Sequence, residues 1–147
     1  MRGILIRVGI IAVIIVVGLV IRPFISGNAS QLSVGDCFDA PTAANETVKD
    51  VQHHPCDQAH TAEVFFVGKS SAAKDEAYPS EGVMTAEVFG LCDPVFESYT
   101  GKDSDNDPEW TYGYFVPTAD GWGDNDRGIS CYATKIDGSA TSVSIKK

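Results

Sequence analysis

The stretch VQHHPCDQAHTAEVF, residues 51–65, brings His53, His54, Cys56, Asp57 and His60 close together in the chain. Imidazoles and thiolates are the usual zinc ligands, and a histidine beside a carboxylate can serve as a general base. Adjacent histidines on a strand point to opposite faces, so His53 and His54 are badly placed to share one metal, and Pro55 bends the chain directly after them. No HExxH or CxxC pattern supplies further ligands. His60, with Asp57 and Glu63, could make a base and its orienting acid. No motif sets a serine or free thiol beside them, however, and GxSxG is absent. The stretch reads as a structural corner: no catalytic residue and no cofactor is assigned, and no enzymatic activity is expected. A histidine-dependent envelope enzyme or metal binder is the competing class.

Two other stretches carry chemistry. KDSDNDPE, residues 102–109, alternates carboxylates at Asp103, Asp105 and Asp107, followed by Glu109, a pattern hard cations favour. Pro108 stands where an EF-hand loop requires glycine and Tyr114 where it requires the bidentate glutamate, so an EF-hand is excluded. What remains is a solvated loop, with an irregular calcium site on Asp103, Asp105 and Asp107 as the chemical alternative. DGWGDNDRG, residues 120–128, could hold out Trp122 and Arg127 as a binding surface, since Trp and Arg dominate interface hot spots. In the structural alternative Trp122 covers one end of the core and Arg127 pairs with an acid such as Glu63.

These stretches sit in a chain of 147 residues, enough for one domain and an appendage. The appendage is N-terminal. Val8 to Ile21 contains no charged or polar side chain, and Gly3 to Ile25 is interrupted only by Arg7, Arg22 and Pro23. A spanning helix needs roughly 20 residues, and arginines near its ends can reach the headgroups. Residues 1–25 therefore read as a single transmembrane anchor, with a cleaved signal peptide ending at Gly27-Asn28-Ala29 as the alternative. The basic residues preceding the run keep the N-terminus in the cytoplasm and put the rest on the extracellular side of the cell membrane. Without Arg2, Arg7 and Arg22, 8 basic residues face 20 acidic ones, a net charge of −12. Such a surface excludes nucleic acid as a default partner. The membrane, through the helix, and a protein in the envelope are the expected partners.

All four cysteines, Cys37, Cys56, Cys92 and Cys131, follow the apolar run, and an even count outside the cytoplasm reads as disulfides. Three pairings are possible. Chain order favours Cys37–Cys56 and Cys92–Cys131, each bridge contributing about 3–4 kcal/mol. An oxidised Cys56 is neither ligand nor nucleophile.

The elements follow from periodicity. Residues 26–31 form a polar linker to a domain spanning 32–147. Strands are expected at 32–39, 48–54, 62–68, 110–118, 129–136 and 142–145. In the third, Val64 and Phe66 share one face and Phe65 and Val67 the other. Asp137-Gly138 is a hairpin signal joining the last two. One helix starts at a Ser80 cap, carries Met84, Val88, Leu91, Cys92, Val95, Phe96 and Tyr99 on one stripe, and stops at Gly101. Pro94 is expected to kink or restart it. The fold class is α+β: an antiparallel sheet with one main helix packed on a face, preceded by a single N-terminal transmembrane helix.

GDCFD (35–39), the histidine stretch, a cysteine-bearing helix ending FESYTG (96–101), and PTADGWGDNDRGISCY (117–132) occur in that order. The pattern resembles the actinobacterial septum formation domain family of membrane-anchored extracytoplasmic modules. The resemblance covers residues 32–136. It implies that Cys37, Cys56, Cys92 and Cys131 occupy the family's cysteine positions. It also matches His60 and Glu63 to a PC…HxxEV element, and Trp122 and Arg127 to a W…R…C element. Pro94 departs from the family's pattern. The expected function is a non-enzymatic binding or scaffold module in septum formation or cell-envelope assembly, with an accessory subunit of another membrane complex as the alternative.

Overall fold

The computed structural model describes residues 26–42, 48 and 50–147. The expected anchor, residues 1–25, lies outside the described residues. Among the described residues, no helix is long and apolar enough to cross a membrane.

The fold is α+β. Six antiparallel strands, β1 (Ser26–Asn28), β2 (Cys37–Phe38), β3 (Asp50–His54), β4 (Ala62–Lys69), β5 (Trp110–Phe115) and β6 (Gly128–Lys135), line up in the order β1-β3-β2-β4-β6-β5. The main helix α1 is Glu81–Thr100, and a short helix α2 is Ala119–Gly123. β4 and β6 are the central strands, and period-two alternation sends their side chains to two apolar clusters. From β6, Ile129, Cys131 and Ala133 join Phe65, Val88, Cys92, Phe96 and Trp110 on the helix side. Tyr132 points the other way, to Phe38, Val51, Ala62 and Val64. Two disulfides tie these elements: Cys92–Cys131 lies inside the helix-side cluster and joins α1 to β6, and Cys37–Cys56 joins β2 to the corner after β3.

The helix buries Met84, Val88, Cys92, Phe96 and Thr100, one stripe at spacings of four. Its end is set by Gly101, at φ +71°, whose N–H bonds Glu97 O at 2.8 Å, the left-handed cap glycine adopts without a Cβ penalty. The start differs from expectation in detail. Ser80 precedes the helix in extended conformation, but its side chain makes no capping bond. Pro94 neither splits nor restarts the element, which runs continuously from Glu81 to Thr100. Proline removes one N–H donor, and burial of Cys92 and Phe96 on either side holds the turn in place.

Four other expectations give way to tertiary structure. Residues 26–31 are folded rather than a linker: Ser26–Asn28 pairs with Asp50–Gln52, and Ala29–Gln31 is a 3-10 turn. Backbone hydrogen bonds suffice for an edge strand, and they leave no hydrophobic alternation to read. The first expected strand shrinks to Cys37–Phe38, because Ser33 to Asp36 turn about Gly35 at φ +93°. In β4 the register shifts between Val64 and Phe66, so Phe66 packs with Phe65 on the helix-side cluster instead of sharing Val64's face. A bulge of this kind inverts every side chain beyond it. Finally, 142–145 forms no strand. β6 is already flanked by β4 and β5, so a hairpin partner after Asp137-Gly138 has no free edge. The tail crosses back instead to β4 and α1.

Candidate functional site

The histidine stretch folds as β3, a corner at residues 55–60, and β4. Its three histidines do not converge. β3 pairs antiparallel with β2, setting Cys37 opposite His54 and Phe38 opposite His53. His54 Nε2 reaches Asp39 Oδ2 at 2.9 Å on the surface. Asp57 is exposed. His60 alone turns inward. Its backbone N–H and C=O exchange bonds with Thr141, each 2.9 Å, which lays the C-terminal tail over it. The residue is 1% exposed. A carbonyl can only accept, so Nδ1 carries the proton that it donates to Gln58 O at 2.7 Å. Nε2 is buried without a partner.

Glu63, three residues further on, is 3% exposed. Its Oε1 accepts from the Tyr99 hydroxyl (2.7 Å) and the Ser144 hydroxyl (2.8 Å), and Oε2 from the Ile145 N–H (2.8 Å). One carboxylate thus joins β4 to the helix and the tail. Burial, then the adjacent Glu63, pushes the Tyr99 phenol well above its ordinary range. A ring nitrogen of His60, a Glu63 oxygen and Cys37 Sγ lie within 4.8 Å of one another, all buried. The sulfur is bonded to Cys56, and the narrow void bounded by His60, Glu63, Trp110 and Ile145 has no room for a water molecule.

Trp122 and Arg127 build a separate knot at the other end of β6. The guanidinium lies 3.7 Å from the centre of the Trp122 ring. Nη1 donates to Trp122 O (2.8 Å) and Asp126 O (2.9 Å), and Nη2 to Lys74 O (2.8 Å) and Ala73 O (3.3 Å). Trp122 Nε1 donates to Glu76 O at 2.7 Å. Both side chains are buried, Trp122 at 4% and Arg127 at 7% exposure, so Trp122 is not held out to solvent. Arg127 does not pair with Glu63: it precedes Gly128 at the start of β6, whereas Glu63 sits opposite Ala133 near the end. The knot pins the 70–79 loop against α2. Beside it Glu87 receives Ser71 N–H (2.7 Å) and the Ser70 (2.8 Å) and Ser71 (3.0 Å) hydroxyls. Burial alone would raise the pKa of Glu87, but these three donors outweigh it and hold the carboxyl below its usual range.

The acidic loop divides. Asp103 and Asp105 line an open cleft of about 370 Å³ with Asp93 and Glu97 from α1. Asp103 accepts from Asp105 N–H (2.9 Å) and Asn106 Nδ2 (2.8 Å). Asp107 turns away from the cleft residues to receive Glu109 N–H (2.9 Å) and Trp110 N–H (2.8 Å), with Lys102 at 3.4 Å. It serves as the anchor for the start of β5. The three aspartates therefore do not converge on one point.

Sequence reasoning did not find Tyr99, Thr141, Ser144 or Glu87 as partners. Tyr99 reads as part of the helix stripe, and nothing in a Ser/Thr-rich tail marks which hydroxyl will meet a buried acid.

The fold and this corner define a small disulfide-stapled α+β domain whose buried histidine and carboxylate hold its own C-terminus. The chain matches the Septum formation family over residues 34–147 and belongs to that family. No curated protein and no solved structure matches it.

Proposed function

We propose that this chain is a membrane-anchored, extracytoplasmic binding module, without enzymatic activity of its own, that works in septum formation or cell-envelope assembly. Membership of the Septum formation family over residues 34–147 carries the reading. The apolar run Val8–Ile21 supports the anchor, with the N-terminus in the cytoplasm and the domain on the extracellular side. Of the side chains that could have served as a base or a surface anchor, Glu63, Trp122 and Arg127 are buried and hold the tail and the loops, and His60 is buried with its Nδ1 given to Gln58 O. A partner would meet a domain of net charge −12, which favours a basic complementary face.

The test is affinity capture from native membranes in mild detergent, with the tag on the N-terminus. Division or wall-synthesis proteins should be recovered in stoichiometric yield. Recovery of an unrelated membrane complex would instead assign an accessory-subunit role, and recovery of nothing would remove the basis for a septal partner.

A further inference from the structure

A buried imidazole nitrogen with no hydrogen-bond partner is an exception in folded proteins and calls for an explanation. Nε2 of His60 is such an atom. With Nδ1–H given to Gln58 O, the neutral ring keeps its lone pair on Nε2. Within 4.8 Å of a ring nitrogen of this histidine lie one oxygen of Glu63 and the sulfur of Cys37, both buried. Histidine nitrogen, carboxylate oxygen and cysteine sulfur are three zinc ligand types, and three protein ligands plus water make an open tetrahedral site. The outer partners such a site requires are also in place. Metal-bound histidines donate their other N–H to a carbonyl, as His60 does to Gln58, and ligating carboxylates are themselves hydrogen-bonded, as Glu63 is by Tyr99, Ser144 and Ile145. Only the sulfur is withheld, by its bond to Cys56.

We infer that the Cys37–Cys56 disulfide masks a zinc-class divalent metal site formed by Cys37, His60 and Glu63, and that reduction opens it. The reductant is a dithiol. One of its thiolates attacks Cys56 Sγ, the more accessible sulfur, since Cys56 is only partly buried and Cys37 is 1% exposed. The S–S electron pair leaves on Cys37 as a thiolate beside His60. The second thiol of the reductant then displaces Cys56, so the dithiol is oxidised to a disulfide and two electrons and two protons pass to the protein. Metal binding to Cys37 releases one of those protons. With bonds of about 2.0–2.3 Å, tetrahedral ligand atoms stand roughly 3.3–3.8 Å apart, so a set spread over up to 4.8 Å contracts by about an ångström. A cysteine freed from its bridge can supply that movement by rotating about Cα–Cβ. In the oxidised protein the adjoining void admits not even water, which keeps the site closed. The inference is independent of the septal reading.

The test uses the full-length chain and Co²⁺ alone as probe. Cys56→Ser frees the Cys37 thiol without any reductant and leaves Cys92–Cys131 intact. It should bind one Co²⁺ per chain with thiolate-to-cobalt charge-transfer absorption, while the oxidised parent shows none. Adding His60→Ala to that variant should loosen Co²⁺ by at least about tenfold, and Cys37→Ser should abolish the absorption. If Cys56→Ser lowers the near-ultraviolet dichroism of the fold, stoichiometric Zn²⁺ should restore it. Absence of the charge-transfer band in Cys56→Ser, its persistence in Cys37→Ser/Cys56→Ser, or a fold that zinc leaves unrestored would each overturn the site.

Discussion

Glu63 shows how one side chain can replace a strand. Its two oxygens take three donors from elements far apart in sequence, α1 and the tail. Removing an acceptor strands buried donors, and that is where the cost lies. Glu63→Ala should lower stability by about 2–3 kcal/mol and make the tail beyond residue 138 sensitive to protease. Glu63→Gln should recover most of this loss. Its carbonyl can face the Ile145 N–H while its amide donates to the two hydroxyls, which rotate to accept. Urea midpoints of the two variants check the ranking, and a glutamine variant as weak as the alanine one would contradict this account. Glu87 differs because its three donors lower its pKa against the effect of burial. A carboxyl with a depressed folded pKa contributes stability above its unfolded value, and loses it as pH falls through the lower folded value. The stability advantage of the parent over Glu87→Gln should therefore be fully present at neutral pH and be lost as the pH falls below the ordinary glutamate range. Thermal melts of both proteins across that range measure it.

At the scale of elements, α1 is the case where local preference and the fold disagree. Proline in a helix interior is roughly 3 kcal/mol less favourable than alanine, partly offset because it also stiffens the unfolded chain. The helix is nonetheless continuous through Pro94, pinned by Cys92 and by the hydrogen bond from the Tyr112 hydroxyl to Asp93. Pro94→Ala should thus raise stability by about 1–2 kcal/mol with an unchanged urea m-value; a destabilised variant would mean that the packing depends on the proline's own shape. The same contrast explains which elements were legible in the sequence. The stripe from Met84 to Phe96 and the alternation in β6 repeat over several turns or residues, so they survive tertiary context. The disulfide arrangement favoured by chain order also appears, since each bridge joins elements that pack directly. β1 was not legible because Ser-Gly-Asn carries no hydrophobic alternation, and Phe66 was placed on the wrong face because a single bulged residue leaves no trace in composition. The 142–145 strand failed for a reason no local window contains: both edges of β6 were taken. At the site, His60 and Glu63 could be singled out by residue type. Their burial under the tail, and the closeness of Cys37, depend on pairings between β2, β3 and β4 that sequence spacing does not report.

Across the whole molecule, the sheet separates two apolar clusters, and the two disulfides fasten different parts of it. Cys92–Cys131 spans 39 residues and fastens α1 to a central strand through the larger cluster. Cys37–Cys56 spans 19 residues and closes the histidine corner beside His60 and Glu63. If the bridges act by restricting the unfolded chain, loop-closure entropy gives about 4 kcal/mol for the first and about 3 kcal/mol for the second. The native contacts reinforce that order. Losing the first bridge leaves Cys92 and Cys131 unjoined across the interface that buries the helix, with both residues fully enclosed. Losing the second frees a partly exposed Cys56, and β2 keeps its pairing with both β3 and β4. Cys92→Ser/Cys131→Ser should therefore be the less stable double variant, by about 1 kcal/mol or more in urea unfolding. The reverse order would place the molecule's mechanical centre at the histidine corner instead of the helix. It would also mean that opening Cys37–Cys56 dismantles the fold, so a metal site exposed by reduction would have to rebuild it on binding.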